Sequence, residues 1–194
     1  MKGPLIVVEG IDGSGKSTLC KGIADRLRSR GVPVEVTAEP THDRIGALIR
    51  SDVGFSPRTE ALLFVADRND HTEAMDSWRS EGKAVVCDRY FASTVAYQSS
   101  GERGCDAEWL LSINSAFTGE ADVTILLDLD QATAMGRVDV RGEEKSKFEK
   151  EDFLKEVRRS YLELANRFGF HVVDASRPGG EVLEEVFGII ERYI

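Results

Sequence analysis

The run Gly10-Ile11-Asp12-Gly13-Ser14-Gly15-Lys16-Ser17 constrains the fold of this chain more than any other stretch. It has the form G-x-x-x-x-G-K-[ST]. The apolar run Leu5–Glu9 (LIVVE) precedes it, and Lys16–Arg30 follows with Leu19, Cys20, Ile23, Ala24 and Leu27 at helical spacing before Gly31 stops the pattern. Strand, glycine loop and helix in that order make a phosphate cradle. The glycines let the backbone bend closely and aim its N–H groups inward. Lys16 neutralises β and γ phosphates, Ser17 offers a hydroxyl to Mg²⁺, and the helix directs its positive end at the anion. Gly10 through Ser17, extended by Thr18, is therefore expected to hold ATP with Mg²⁺. Motors, switches, transporters and kinases share this loop, so alone it names no reaction.

Elsewhere, short β-branched runs alternate with longer helical patterns. Val34–Ala38, Ala84–Asp88, Val123–Asp128 and Phe170–Asp174 read as strands. Ser56-Pro57 opens a long helix that carries Ala61, Leu62, Val65, Met75 and Trp78 and ends near Gly82; its apolar face reads equally as core or as a contact between copies. Asp106 caps a helix through Phe117, Asp152–Phe168 is amphipathic and stopped by Gly169, and Glu181–Tyr193 closes the chain. The alternation predicts an α/β fold: a five-stranded parallel sheet flanked by helices in three layers, as one domain spanning residues 1–194. Ligands of such sheets bind at the carboxyl ends of the strands. Glu9, Asp88 and Asp128 stand there, which places the chemistry on one edge.

Bulk properties narrow the partners. Hydrophobic residues make up 41% and charged residues 30%, a globular composition. A net charge of −9 gives no broad footprint for nucleic acid. Cys20, Cys87 and Cys105 form neither a disulfide framework nor a metal spacing and read as reduced thiols. The opening MKGPLIVVEG is too short in its apolar run for a signal core or a membrane span. A cytoplasmic protein is expected, with no membrane partner.

The second informative stretch is Asp88–Gln98, DRYFASTVAYQ, beginning at a strand end. Asp88 is placed to hold Mg²⁺ or its water shell. Arg89 has a fork that suits a phosphate. Thr94, Tyr97 and Gln98 fall at i, i+3 and i+4 and share one face of a short helix. Phe64 and Arg68 form a similar pair on the long helix, with a flat face for a base and a donor for its carbonyls. Taken alone, Phe64 reads better as a core residue.

At these residues the chain resembles the thymidylate kinase family. The likeness runs through VEGIDGSGKST at 8–18, AEPT at 38–41, IGALIR at 45–50, LLFVADR at 62–68, DRYFASTVAYQ at 88–98, LLDLD at 126–130 and FEKEDFLKEVRRSYLELA at 148–165. The DRY-x-x-S-x-x-AYQ run is the most specific. The resemblance implies transfer of the γ-phosphoryl group of ATP to dTMP. It implies that Asp12 lies near the acceptor sugar's 3′-hydroxyl, that Phe64 stacks on thymine and that Arg68 bonds a thymine carbonyl. It further implies that Arg89 grips the acceptor phosphate, that Thr94 and Gln98 contact the base, that Tyr97 closes on the sugar against a 2′-hydroxyl, and that Arg137 lies against the adenine. A homodimer is implied as well.

Two positions depart from the family pattern. Members carry an Arg either in the phosphate loop or in a mobile lid, and this loop has Gly13. The lid is therefore expected to supply the charge that closes over the γ-phosphate. Residues 137–150 (RVDVRGEEKSKFEK) fit a lid, with Arg141, Lys145 and Lys147 as candidates. Arg141 is preferred, because its planar fork suits the transferring group. The expected catalytic set is thus Lys16, Asp88, Arg89 and Arg141, with Ser17 and Asp88 for the metal. Where the family has R-E-P, this chain has Ala38-Glu39-Pro40, which leaves Arg44, Arg50 or Arg89 for the acceptor phosphate. The competing readings are a kinase for another monophosphate such as dUMP and a non-catalytic nucleotide switch.

Overall fold

The computed structural model describes residues 2–51, 53–102, 104–137 and 144–194, the side chains of 144–149 excepted. Strands β1 (Leu5–Glu9), β2 (Val34–Ala38), β3 (Ala84–Asp88), β4 (Val123–Asp128) and β5 (His171–Asp174) form one parallel sheet in the order β2-β3-β1-β4-β5. The helices are α1 (Lys16–Ser29), α2 (Arg44–Ile49), α3 (Pro57–Ser80), α4 (Phe91–Gln98), α5 (Ala107–Ser115), α6 (Gln131–Arg137), α7 (Glu144–Phe168) and α8 (Gly179–Ile190), with a 3-10 turn at Glu191–Tyr193. This is the predicted α/β architecture.

Alternation along β1 sorts the core into two faces. Ile6 and Val8 join Leu19, Cys20, Ile23 and Leu27 of α1 in the larger cluster. Leu5 and Val7 pack with Val85, Cys87 and Met75 of α3 in the smaller one. All five β1 residues are buried, as a central strand covered on both faces requires. The Ser56 hydroxyl accepts from Thr59 N at 3.2 Å and Pro57 holds the first helical position of α3. The Asp106 carboxylate accepts from Trp109 N at 2.7 Å to start α5. Each such cap stabilises its helix by about 1 kcal/mol.

The structure departs from the sequence-based expectation at both ends of the expected lid. Helix α7 begins at Glu144, eight residues before Asp152, so residues 144–150 of the expected lid are its first turns. Arg137 closes α6, and Arg141 lies outside the described residues, as do the side chains of Lys145 and Lys147. Leu62 is 51% exposed. The inward stripe of α3 is largely polar, with Asp67, Arg68, His71 and Arg79 all buried, and it rotates Leu62 away from the core. Asp67 accepts from Thr41 N and Oγ1 at 2.7 and 2.6 Å, while Arg79 donates to Gly3 O and Asp122. A hydrophobic-periodicity reading cannot see such buried polar anchors.

Strand register brings the expected chemistry together. Val8 of β1 and Ala38 of β2 both pair with Asp88 of β3. Arg89 N donates to Val8 O at 2.9 Å and Glu39 N to Asp88 O at 3.0 Å, so the loops leaving three strands start side by side.

Candidate active site

Two of the cavities on this edge meet at Asp12 and Arg89. The first, about 370 Å³, follows the glycine loop and takes in Lys16, Ser17 and Thr18, with Ala38, Asp88 and Arg137 opposite. The loop needs its glycines for more than flexibility. Gly13 has φ +82°, and a Cβ there would meet Ala134 O of α6 at 2.5 Å. A side chain at this position is excluded by both backbone and neighbour, which is the physical content of the missing arginine.

The Lys16 ammonium donates to Ile11 O at 2.9 Å. Burial, reinforced by the nearby Arg89 charge, pushes its pKa down to about 8. Ser17 Oγ donates to Asp88 Oδ2 at 2.6 Å. The other oxygen, Asp88 Oδ1, is buried without a hydrogen-bond partner among the described residues, as is Ser14 Oγ. A carboxylate oxygen and a hydroxyl side by side, one lone-pair set unspent, are the hard oxygen donors that Mg²⁺ prefers. The residues fit the ion.

The second cavity, about 210 Å³, contains all seven expected acceptor residues: Asp12, Phe64, Arg68, Arg89, Thr94, Tyr97 and Gln98. They come from the phosphate loop, α3, the β3–α4 turn and α4. Phe64 is half-buried and belongs to neither core cluster; its ring forms cavity wall. The Tyr97 hydroxyl accepts from Asp12 N at 3.0 Å, and its ring lies 5.2 Å from the Arg89 guanidinium. Arg44 and Arg50 line neither cavity; Arg50 instead donates to Pro40 O at 2.7 Å. Of the three alternatives for the phosphate, the structure brings only Arg89 to both cavities.

Arg68 shows how this pocket is set. It is 1% exposed. Its Nε and Nη2 donate to Glu39 Oε2 at 2.9 and 2.5 Å, Nη2 also to Thr94 Oγ1 at 3.0 Å, and Nη1 to Asn114 Oδ1. Among the described residues four of five N–H groups are thus used, and one on Nη1 remains. Glu39 is itself held by His71 Nδ1 at 3.0 Å, and His71 Nε2 by Thr37 Oγ1 at 2.7 Å. Asn114 and His71 escaped the sequence reading. No local pattern marks an asparagine near the end of a short helix or a histidine inside a long one. Glu39 stood beside a recognised departure, but its partners are distant in sequence.

The cavities are not separate. Asp12, Glu39 and Arg89 belong to both walls. Arg89 donates to Asp12 across the boundary and to Ser93 Oγ at 3.2 Å. It is the sole non-glycine residue with positive φ among the described residues, at 73°. Strained backbone of this kind persists where the surroundings over-determine it, commonly at functional sites.

Comparison with known proteins gives the same direction. The family model "Thymidylate kinase" matches residues 8–186. A probable thymidylate kinase of Archaeoglobus fulgidus is 43% identical over 192 residues, covering 98% of this chain and 96% of its own length. One from Pyrococcus horikoshii is 42% identical, covering 99% and 98%. The thymidylate kinase of Desulfovibrio desulfuricans is 38% identical, covering 97% and 95%. With the glycine loop, the DRY-x-x-S-x-x-AYQ helix and two joined cavities on one sheet edge, this chain belongs to the thymidylate kinase family.

Proposed function

We propose that this chain transfers the γ-phosphoryl group of ATP to dTMP, giving ADP and dTDP. The supporting observation is the pair of cavities that share Asp12, Glu39 and Arg89. A triphosphate in the glycine loop and a monophosphate held by Arg89 are then neighbours, and positioning with charge neutralisation does most of the catalytic work. A nucleotide switch has no use for the second cavity.

In this reading the loop N–H groups and Lys16 bind the donor's β and γ phosphates. Ser17 and Asp88 would hold Mg²⁺, which would neutralise charge on the donor phosphates. Arg89 fixes the acceptor phosphate, already an anion and in no need of a general base. Asp12 exchanges its contact with Arg89 for the acceptor sugar's 3′-hydroxyl. Phe64 stacks on the base, Thr94 and Gln98 bond its edge, and Tyr97 packs on the sugar. Arg68 lines the second cavity, and its N–H without a partner among the described residues suits an acceptor atom on the base. Thymine offers a carbonyl oxygen there, whereas cytosine presents an amino group and sets donor against donor. Arg137 faces the donor's adenine, and Arg141 brings the closing charge that Gly13 denies the loop.

The finer attributes follow the same reading: a cytoplasmic homodimer without nucleic-acid partners, with the exposed Leu62 side of α3 as the contact between copies. No helix of the described residues is long and apolar enough to cross a membrane.

A coupled ADP-release assay with a panel of monophosphates tests the activity. Release that depends on dTMP, with dCMP at least about a hundredfold poorer in kcat/KM, is expected. Absence of any acceptor-dependent release, or a preference for dCMP, would overturn the reading.

A further inference from the structure

Glu9 ends β1 immediately before the phosphate loop, and none of the chemistry above uses it. Its carboxylate is fully buried. Each oxygen accepts twice: Oε1 from Tyr90 N at 2.9 Å and Ser93 N at 3.1 Å, Oε2 from Ser93 Oγ at 2.6 Å and the Tyr161 hydroxyl at 3.1 Å. Tyr90 is the N-cap residue of α4 and makes no side-chain cap of its own. Glu9, from another strand, caps α4 in its place and sets a carboxylate at the positive end of the helix. Burial raises the Glu9 pKa, and the Ser93 hydrogen bond and the Arg89 charge oppose that rise.

The same group reaches Arg89. Ser93 Oγ accepts from Arg89 Nη1 at 3.2 Å while it donates to Glu9. The Tyr161 hydroxyl lies 2.7 Å from Ser93 Oγ, so the bonds from Arg89, Ser93, Tyr161 and Glu9 are continuous. Tyr161 belongs to α7, whose first turns fall in the stretch expected to form the lid. Its ring also packs edge-on against Tyr97, with centroids 6.3 Å apart. The arginine with the strained backbone therefore has its side chain held as well, through a network that joins β1, α4 and α7.

We propose that Ser93 and Tyr161, anchored on Glu9, are positioning residues that aim Arg89 at the acceptor phosphate and tie that aim to helix α7. The inference rests on the reading of Arg89 as the acceptor-phosphate ligand. A polar core that merely stabilises the fold would show in melting temperature. A positioning network shows in acceptor binding, and only while Arg89 is present.

The test is a double-mutant cycle read in steady-state kinetics, with thermal melts alongside. Ser93→Ala removes the hydroxyl but keeps the Ser93 N–H that Glu9 caps. It is expected to raise KM for dTMP about tenfold, as loss of a bond to a charged group implies, with KM for ATP within about twofold. Tyr161→Phe keeps the ring and is expected to raise KM for dTMP about threefold. In the Arg89→Ala background neither substitution should change KM for dTMP further. If Ser93→Ala lowers the melting temperature without moving KM for dTMP, or moves it equally in both backgrounds, the inference fails while the Arg89 reading stands. If Arg89→Ala itself leaves KM for dTMP unchanged, the Arg89 reading fails and takes the inference with it.

Discussion

The two cavities are built on different physical plans. The phosphate cavity is mostly one uninterrupted run of chain, in which backbone N–H groups and Lys16 supply the charge. The acceptor cavity draws side chains from residues 12, 39–40, 60–68 and 89–98 and stiffens them with buried bonds such as Arg68 to Glu39, Thr94 and Asn114. A backbone cradle recognises any triphosphate. A side-chain lock can be specific, because each polar atom already spent leaves a defined remainder for the ligand. In the proposed reading the general step and the selective step fall to different cavities, whose linings share Asp12, Glu39 and Arg89.

That contrast can be broken or sharpened by substitution. The largest effect is expected from Lys16→Ala, which removes the cation on the transferring phosphates. It should lower kcat/KM on the order of a thousandfold for every acceptor alike. A loss confined to dTMP would place Lys16 on the wrong side. Arg89→Ala should lower kcat/KM for dTMP about a hundredfold, chiefly through the acceptor's KM, while ATP affinity measured by calorimetry stays constant. Arg141→Ala should reduce kcat at least about tenfold at saturating substrates; a smaller loss removes it from the closing role. Asn114→Ala deprives Arg68 Nη1 of a partner deep in the acceptor wall. It should cost about 2 kcal/mol, read as a fall in Tm of about 5 °C, with a higher KM for dTMP. No effect on either would make the lock looser than described. The smallest effect is on the thiols. Half-buried Cys105 should react with a thiol reagent in the native protein, whereas Cys20 and Cys87 should react only on unfolding, since burial pushes both of their pKa values up.

The plans also explain what the sequence discloses. Strand, glycine loop and helix are contiguous, so Leu5–Ser29 is legible to within a residue of its observed ends. The caps at Ser56 and Asp106 are equally local. The acceptor residues become readable through the family resemblance, because their union in one cavity depends on register between β1, β2 and β3. What stayed hidden is long-range and polar. Asn114 meets Arg68 across 46 residues, His71 meets Glu39 across 32, and Tyr161 meets Glu9 across 152. Hydrophobic periodicity carries no record of such pairs. Helix α7 starts eight residues ahead of Asp152 because the charged run there, which reads as a solvated loop, consists of good helix formers.

The central claim is that donor and acceptor sites are joined at Arg89. The most direct measurement is binding of a bisubstrate compound, adenosine linked to thymidine through a polyphosphate chain, followed by calorimetry with ATP and dTMP as competitors. A single compound bound per active site, tighter than either nucleotide alone and excluding both at once, is the result predicted for contiguous cavities. A compound that displaces only ATP, leaving dTMP bound, would contradict it.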